Sequence, residues 1–161
     1  MICFFQIVFK LFSEYDILVK VMRKRLMAYL EINKESERAC GERHRRILET
    51  IIVNPVSIGI YENCPCFYKE VEIRRDDGSS LACTDLVVLG KSMYLIELKT
   101  RGPNSHRKKT YGSESVLRAT YKFYRKNFNI SPIMRFVLSS GSNLEYKDIE
   151  RPLEDLVLDL R

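Results

Sequence analysis

Asp85, Glu97 and Lys99 are ionisable residues set inside two apolar runs, Leu81–Leu89 and Met93–Thr100, which meet at Gly90-Lys91-Ser92. Such charges are seldom placed in hydrophobic strands without a partner, a metal or a task. Side chains alternate along a strand, so Glu97 and Lys99 share a face, about 7 Å apart. A tight turn at Gly90–Ser92 pairs positions near 85 with positions near 97 and brings two carboxylates together. Two such groups repel and raise each other's pKa unless a cation lies between them. A hard divalent ion, Mg²⁺ or Mn²⁺, suits an all-oxygen site, and a lysine beside it can serve a water or a phosphate. The plainer alternative is a Glu97–Lys99 ion pair with Asp85 apart from it.

The segments around these runs must position the three residues. Lys34 to Ile52 has helical spacing, with Ala39, Ile47, Leu48, Ile51 and Ile52 on its apolar side and Asn54-Pro55 as its stop. Phe67–Arg75 alternates as a strand, and Asp76-Asp77-Gly78 signals a hairpin. Gly102–Gly112 is a polar, basic loop. Ser113–Phe128 is a second helix, whose apolar side holds Val116, Leu117, Thr120, Tyr121 and Tyr124; the two tyrosines are expected in the core. Ile133–Leu138 is a fourth strand, ended by Ser139-Ser140-Gly141, and Leu153–Leu160 is a short helix or an edge strand. The expected fold class is α/β, a mixed central sheet flanked by helices in the order α-β-β-β-α-β.

The 161 residues carry a formal net charge of +6, a balance suited to a polyanionic partner. From Lys99 to Phe128 nine lysines and arginines face Glu114 alone. Arg101, Arg107, Lys108, Lys109, Arg118, Lys122 and Arg125 are the candidates for phosphate contacts, against a solvated helix face as the plainer reading. His106 lies in the same loop. Five cysteines without repeating spacing fit a reducing interior, and cytoplasmic location is expected. Met1–Phe12 is apolar but is interrupted by Ser13-Glu14-Tyr15-Asp16 before it reaches bilayer-spanning length, so no membrane insertion is expected. Ile17–Leu30 has helical spacing and reads as a docking helix, an oligomer contact or a membrane-surface helix. Residues 1–33 form an extension, and 34–161 a domain.

Thr84-Asp85, eleven intervening residues, then Glu97-Leu98-Lys99 resembles the signature of the PD-(D/E)XK nuclease superfamily. The element order resembles its restriction-endonuclease-like core. By that resemblance Asp85, Glu97 and the Leu98 carbonyl bind the metal, and Lys99 serves the attacking water. Glu42, in Gly41-Glu42-Arg43, resembles the glutamate that archaeal Holliday junction resolvases add from the first helix; Glu49 is the second choice. The resemblance covers about Glu35 to Gly141 and implies Mg²⁺-dependent cleavage of DNA and a homodimer. Thr84 stands where the family usually has proline. Thr120 and Tyr124 keep the spacing of an exonuclease-type Gln and Tyr, with Thr in place of Gln. A non-catalytic nucleic-acid-binding or assembly module with the same fold is the alternative.

Overall fold

The computed structural model describes residues 2–35, 41–100 and 111–152. They form a mixed α/β structure of three α-helices and a five-stranded sheet. The chain divides into two compact units, Met1–Ile32 and Asn33–Arg161. The first consists of helix α1 (Ile2–Asn33), which continues unbroken through Ser13–Asp16. That polar group interrupts the apolar run without interrupting the helix, since Glu and Tyr tolerate helical backbone. None of the helices is long and apolar enough to cross a membrane among the described residues.

The helix expected from Lys34 begins later. Glu35 takes a left-handed backbone, φ +54°, and its N–H donates to the Lys69 carbonyl at 2.8 Å. Ala39 lies outside the described residues. Helix α2 runs from Glu42 to Val53, and extended Gly41 stands at its N-terminus. A 3₁₀ turn at Pro55–Ile58 follows, closed by Gly59 in the left-handed region.

Strands β1 (Cys66–Arg74), β2 (Ser80–Leu89) and β3 (Met93–Thr100) form an antiparallel meander. Helix α3 (Tyr111–Phe128) then returns the chain so that β4 (Ile133–Ser140) lies parallel to β3. The fourth strand does not end the sheet. Gly141, at φ +65°, turns the chain into β5 (Asn143–Ile149), antiparallel to β4. Sequence alternation misses β5 because most of its side chains are exposed and three are charged. Leu153–Leu160 lies outside the described residues.

One core cluster joins Leu48 and Ile51 of α2 to Ile58, Leu86, Val88, Ile96, Leu98 and Val137. Helix α3 buries Leu117, Thr120, Tyr121 and Tyr124, the side expected from spacing. The two tyrosines are thereby core residues. Arg135, only 6% exposed, ties β4 to β5 and to the 3₁₀ turn. It donates to both Asp148 oxygens at 2.6 and 2.8 Å and to the Ile58 carbonyl at 2.6 Å. Its guanidinium also lies 5.1 Å and 4.6 Å from the ring centres of Tyr94 and Tyr146. Arg135→Ala strands a buried carbonyl and a partner carboxylate. It is expected to lower stability by about 3 kcal/mol, the low end for a broken buried pair because Asp148 is half-exposed. Denaturant unfolding followed by circular dichroism checks this; a loss within error of zero contradicts it.

Candidate functional site

Asp85 sits where the meander loosens. The β2–β3 pairing runs from Leu89↔Met93 to Leu86↔Ile96 and stops there. On the other side, β1–β2 pairing passes from Lys69↔Leu86 to Val71↔Thr84 and leaves out Glu70 and Asp85. Glu70 has φ +51°. Thr84 reaches α3, its hydroxyl 3.2 Å from that of Thr120, whereas Leu86 joins the core built on Leu48 and Ile51 of α2. The regular alternation of β2 is therefore broken at Asp85, a common effect of a strand irregularity.

The Asp85 carboxylate takes over part of the missing pairing. Leu98 N–H donates to Asp85 Oδ2 at 2.6 Å, a short, charge-assisted bond. Asp85 Oδ1 lies 3.3 Å from His44 Nε2 on α2. The contact is ionic when the imidazole is protonated, and its geometry does not make a well-directed hydrogen bond. The Asp85 carboxylate raises the imidazole pKa above 6.5 and prevails over burial, which lowers it.

Glu97 is 5% exposed. Its Oε1 accepts from Lys99 Nζ at 2.9 Å, while its Oε2 is buried with no hydrogen-bond partner among the described residues. Burial is the main cause that pushes its pKa from 4.5 to about 7, and the neighbouring charge of Asp85 adds to it. Lys99 and His44 pull the other way and do not prevail. Lys99 keeps about two-fifths of its side chain in solvent, so it stands at the mouth of the site.

The turn that brings these strands together is held from outside. Glu62 accepts from the N–H groups of Lys91 and Ser92 at 2.9 and 3.1 Å. The Lys91 bond is the main cause that lowers its pKa. A side chain at Gly90 would run into this carboxylate, so Glu62 and Gly90 fit each other.

Asp85, Glu97, Leu98 and Lys99 are thus brought together. Glu42 is not: it lies on the exposed face of α2, where its carboxylate pairs with Arg46. Glu49 is exposed as well. Helical spacing explains both. Residues 44, 47, 48 and 51 form one face, and 42, 46, 49 and 53 another. His44 was the missed residue, and its place on the Leu48–Ile51 face was the signal.

Arg101, His106, Arg107, Lys108 and Lys109 lie outside the described residues. Arg118 is committed to Glu114 at 2.8 and 2.9 Å and approaches the Glu150 carbonyl at 3.5 Å. Lys122 is exposed on α3, and Arg125 is half-buried there. Among the described residues, no three His, Cys, Asp or Glu side chains are arranged to hold a metal. Any cation would rest on Asp85 and Glu97 plus backbone and water.

No protein-family model matches the chain, and no curated protein matches it. A solved structure described as the crystal structure of SSO0001 is similar, with 16% sequence identity and a TM-score of 0.40. The match covers 71% of this chain and 52% of that one, so this chain spans about half of its length.

Proposed function

We propose that Asp85, Glu97 and Lys99 form a divalent-metal site that hydrolyses phosphodiester bonds in DNA. One observation carries this reading: a buried carboxylate, Glu97, has an oxygen without a partner beside a second carboxylate, at a gap between strands. Lys99 and His44 offset part of this charge but leave Glu97 Oε2 without a partner among the described residues, a place a cation can take. The donors are hard oxygens, which fits Mg²⁺ or Mn²⁺. An extended residue directs its N–H and C=O to the same edge, so the Leu98 carbonyl is the backbone oxygen available beside Asp85.

When bound, the cation would neutralise charge on the scissile phosphate and lower the pKa of the attacking water. Asp85 Oδ2 accepts from the Leu98 N–H and Oδ1 lies beside the His44 ring, so the carboxylate is oriented before a cation arrives. Glu97 supplies an oxygen that water cannot solvate from outside. Lys99, paired with Glu97 and two-fifths exposed, stands where its ammonium can meet a phosphate oxygen or orient water. Lys122, with the basic segment 101–109, would follow the DNA backbone.

The isolation of Glu42, together with the Glu97–Lys99 ion pair, favours the second reading, a nucleic-acid-binding or assembly module without catalysis. Incubation with labelled junction, single-stranded and duplex DNA separates the two. The expected result is cleavage with Mg²⁺ or Mn²⁺ that stops in chelator and in Lys99→Ala. Salt-sensitive binding without any cleavage establishes the second reading instead.

A further inference from the structure

We infer that β5 is a self-complementary edge on which a second copy of this chain pairs, extending the five-stranded sheet across a two-fold axis. The sheet order leaves β1 and β5 at its edges. The β1 edge is partly taken, because the Lys69 carbonyl accepts from Glu35 N–H. Among the described residues, nothing pairs with the outer edge of β5. An open edge of seven residues is a template for another strand.

The sequence of β5, Asn-Leu-Glu-Tyr-Lys-Asp-Ile, selects one register. A two-fold axis that joins antiparallel edges stands perpendicular to the sheet and keeps each face with its like. A strand residue therefore meets its own copy at the axis. With Tyr146 on the axis, Glu145 lies opposite the partner's Lys147, and Lys147 opposite the partner's Glu145. Directly opposed side chains are about 5 Å apart at Cβ, close enough for two reciprocal ion pairs.

Slipping the register moves the centre to Glu145 or to Lys147, which then meets its identical charge in the partner. Both neighbouring registers are thus penalised, and the central one is favoured. Tyr146 is 46% exposed, and its ring is already steadied over the Arg135 guanidinium, so it offers an ordered aromatic surface at the axis. Arg135 also anchors β5 through Asp148, which keeps the edge rigid enough to act as a template. A groove of about 580 Å³ is lined by Glu114 and Arg118 of α3, Phe136 of β4, Lys147, Asp148 and Ile149 of β5, and Glu150, with charges of both signs. That lining suits a protein rim better than a polyanion.

Sedimentation equilibrium of the full chain tests the pairing. The wild type is expected to form dimers at tens of micromolar, about −6 kcal/mol of association. Glu145→Lys and Lys147→Glu each set like charges opposite one another and are expected to weaken the dimer by about tenfold or more. Mixing the two variants restores opposite charges at both positions and is expected to give a one-to-one heterodimer. Circular dichroism verifies that each variant alone is folded. A wild type that stays monomeric to about 100 µM overturns the inference. Variants that dimerise as well as the wild type, or a mixture that does not recover, overturn it equally.

Discussion

Asp85→Asn is expected to abolish metal-dependent cleavage while leaving stability nearly unchanged, whereas Asp85→Ala loses cleavage and is also destabilised. Asparagine keeps an oxygen that can accept the Leu98 N–H. Alanine leaves that N–H without its acceptor at a residue only 1% exposed, which costs about 1–3 kcal/mol. Either change removes the negative charge that would hold the cation. If that charge is worth several kcal/mol in the transition state, the rate falls on the order of a thousandfold. Both variants also relieve Glu97 of its neighbour's repulsion and should lower its pKa, because Asp85 is the second cause of the shift after burial. Cleavage assays, thermal unfolding and carboxyl-carbon NMR of Glu97 measure the three effects. Retained cleavage in Asp85→Asn would sink the proposed role. Asparagine proving as unstable as alanine would sink the account of the Leu98 bond.

Glu97→Gln is expected to make the protein more stable than wild type at pH 8 and to flatten the pH dependence of stability. The folded pKa of about 7 stands above the ordinary 4.5, so the folded chain binds more protons than the unfolded one between those values. Stability therefore falls as pH rises through this window. It is fully present below about 4.5 and lost above about 7. A folded pKa of about 7 against the ordinary 4.5 sets an upper bound of about 3 kcal/mol. Glutamine fills nearly the same volume, can still accept from Lys99 and never ionises. His44, whose pKa is also raised, has stability present below 6.5 and lost as pH rises, so it leaves a smaller slope of the same sign. Denaturant midpoints from pH 5 to 8 show the result. Equal slopes in wild type and variant, or a variant less stable at pH 8, would contradict the assignment of the buried proton to Glu97.

The meander was legible because its residues obey simple rules. Strands 67–75, 81–89 and 93–100 were expected, and Cys66–Arg74, Ser80–Leu89 and Met93–Thr100 form. The turns between them carry their usual residues, and β2 and β3 hold continuous apolar runs. The approach of Asp85 to the second carboxylate followed from that pairing alone. What alternation could not show is the irregularity at Asp85, since it depends on the left-handed backbone of Glu70 in another strand. β5 escaped for a different reason: an edge strand with little buried surface needs no apolar period. Glu42 rests on a resemblance to a motif, whereas the helix face it occupies follows from its distance to Leu48. His44 was readable by the same count. The capture of the Lys69 carbonyl by Glu35 left no local mark, because a backbone bond asks nothing of the side chain.

The connection between β3 and β4 has a consequence for the order of folding. Among the described residues, every strand pair but one is antiparallel and joined by a short turn; the exception is the parallel pair of β3 and β4, which must close across more than thirty residues, from Thr100 to Ile133. Loop closure of that size is an entropic barrier, whereas hairpins close in microseconds. Asp85 and Glu97 belong to one hairpin, so they meet early, in a nascent chain where water still screens their repulsion. Burial of Glu97 waits for the crossover and for α3. Proton uptake by this residue should accordingly accompany the late, slow phase of folding, and mildly acidic solvent should speed that phase rather than hairpin formation.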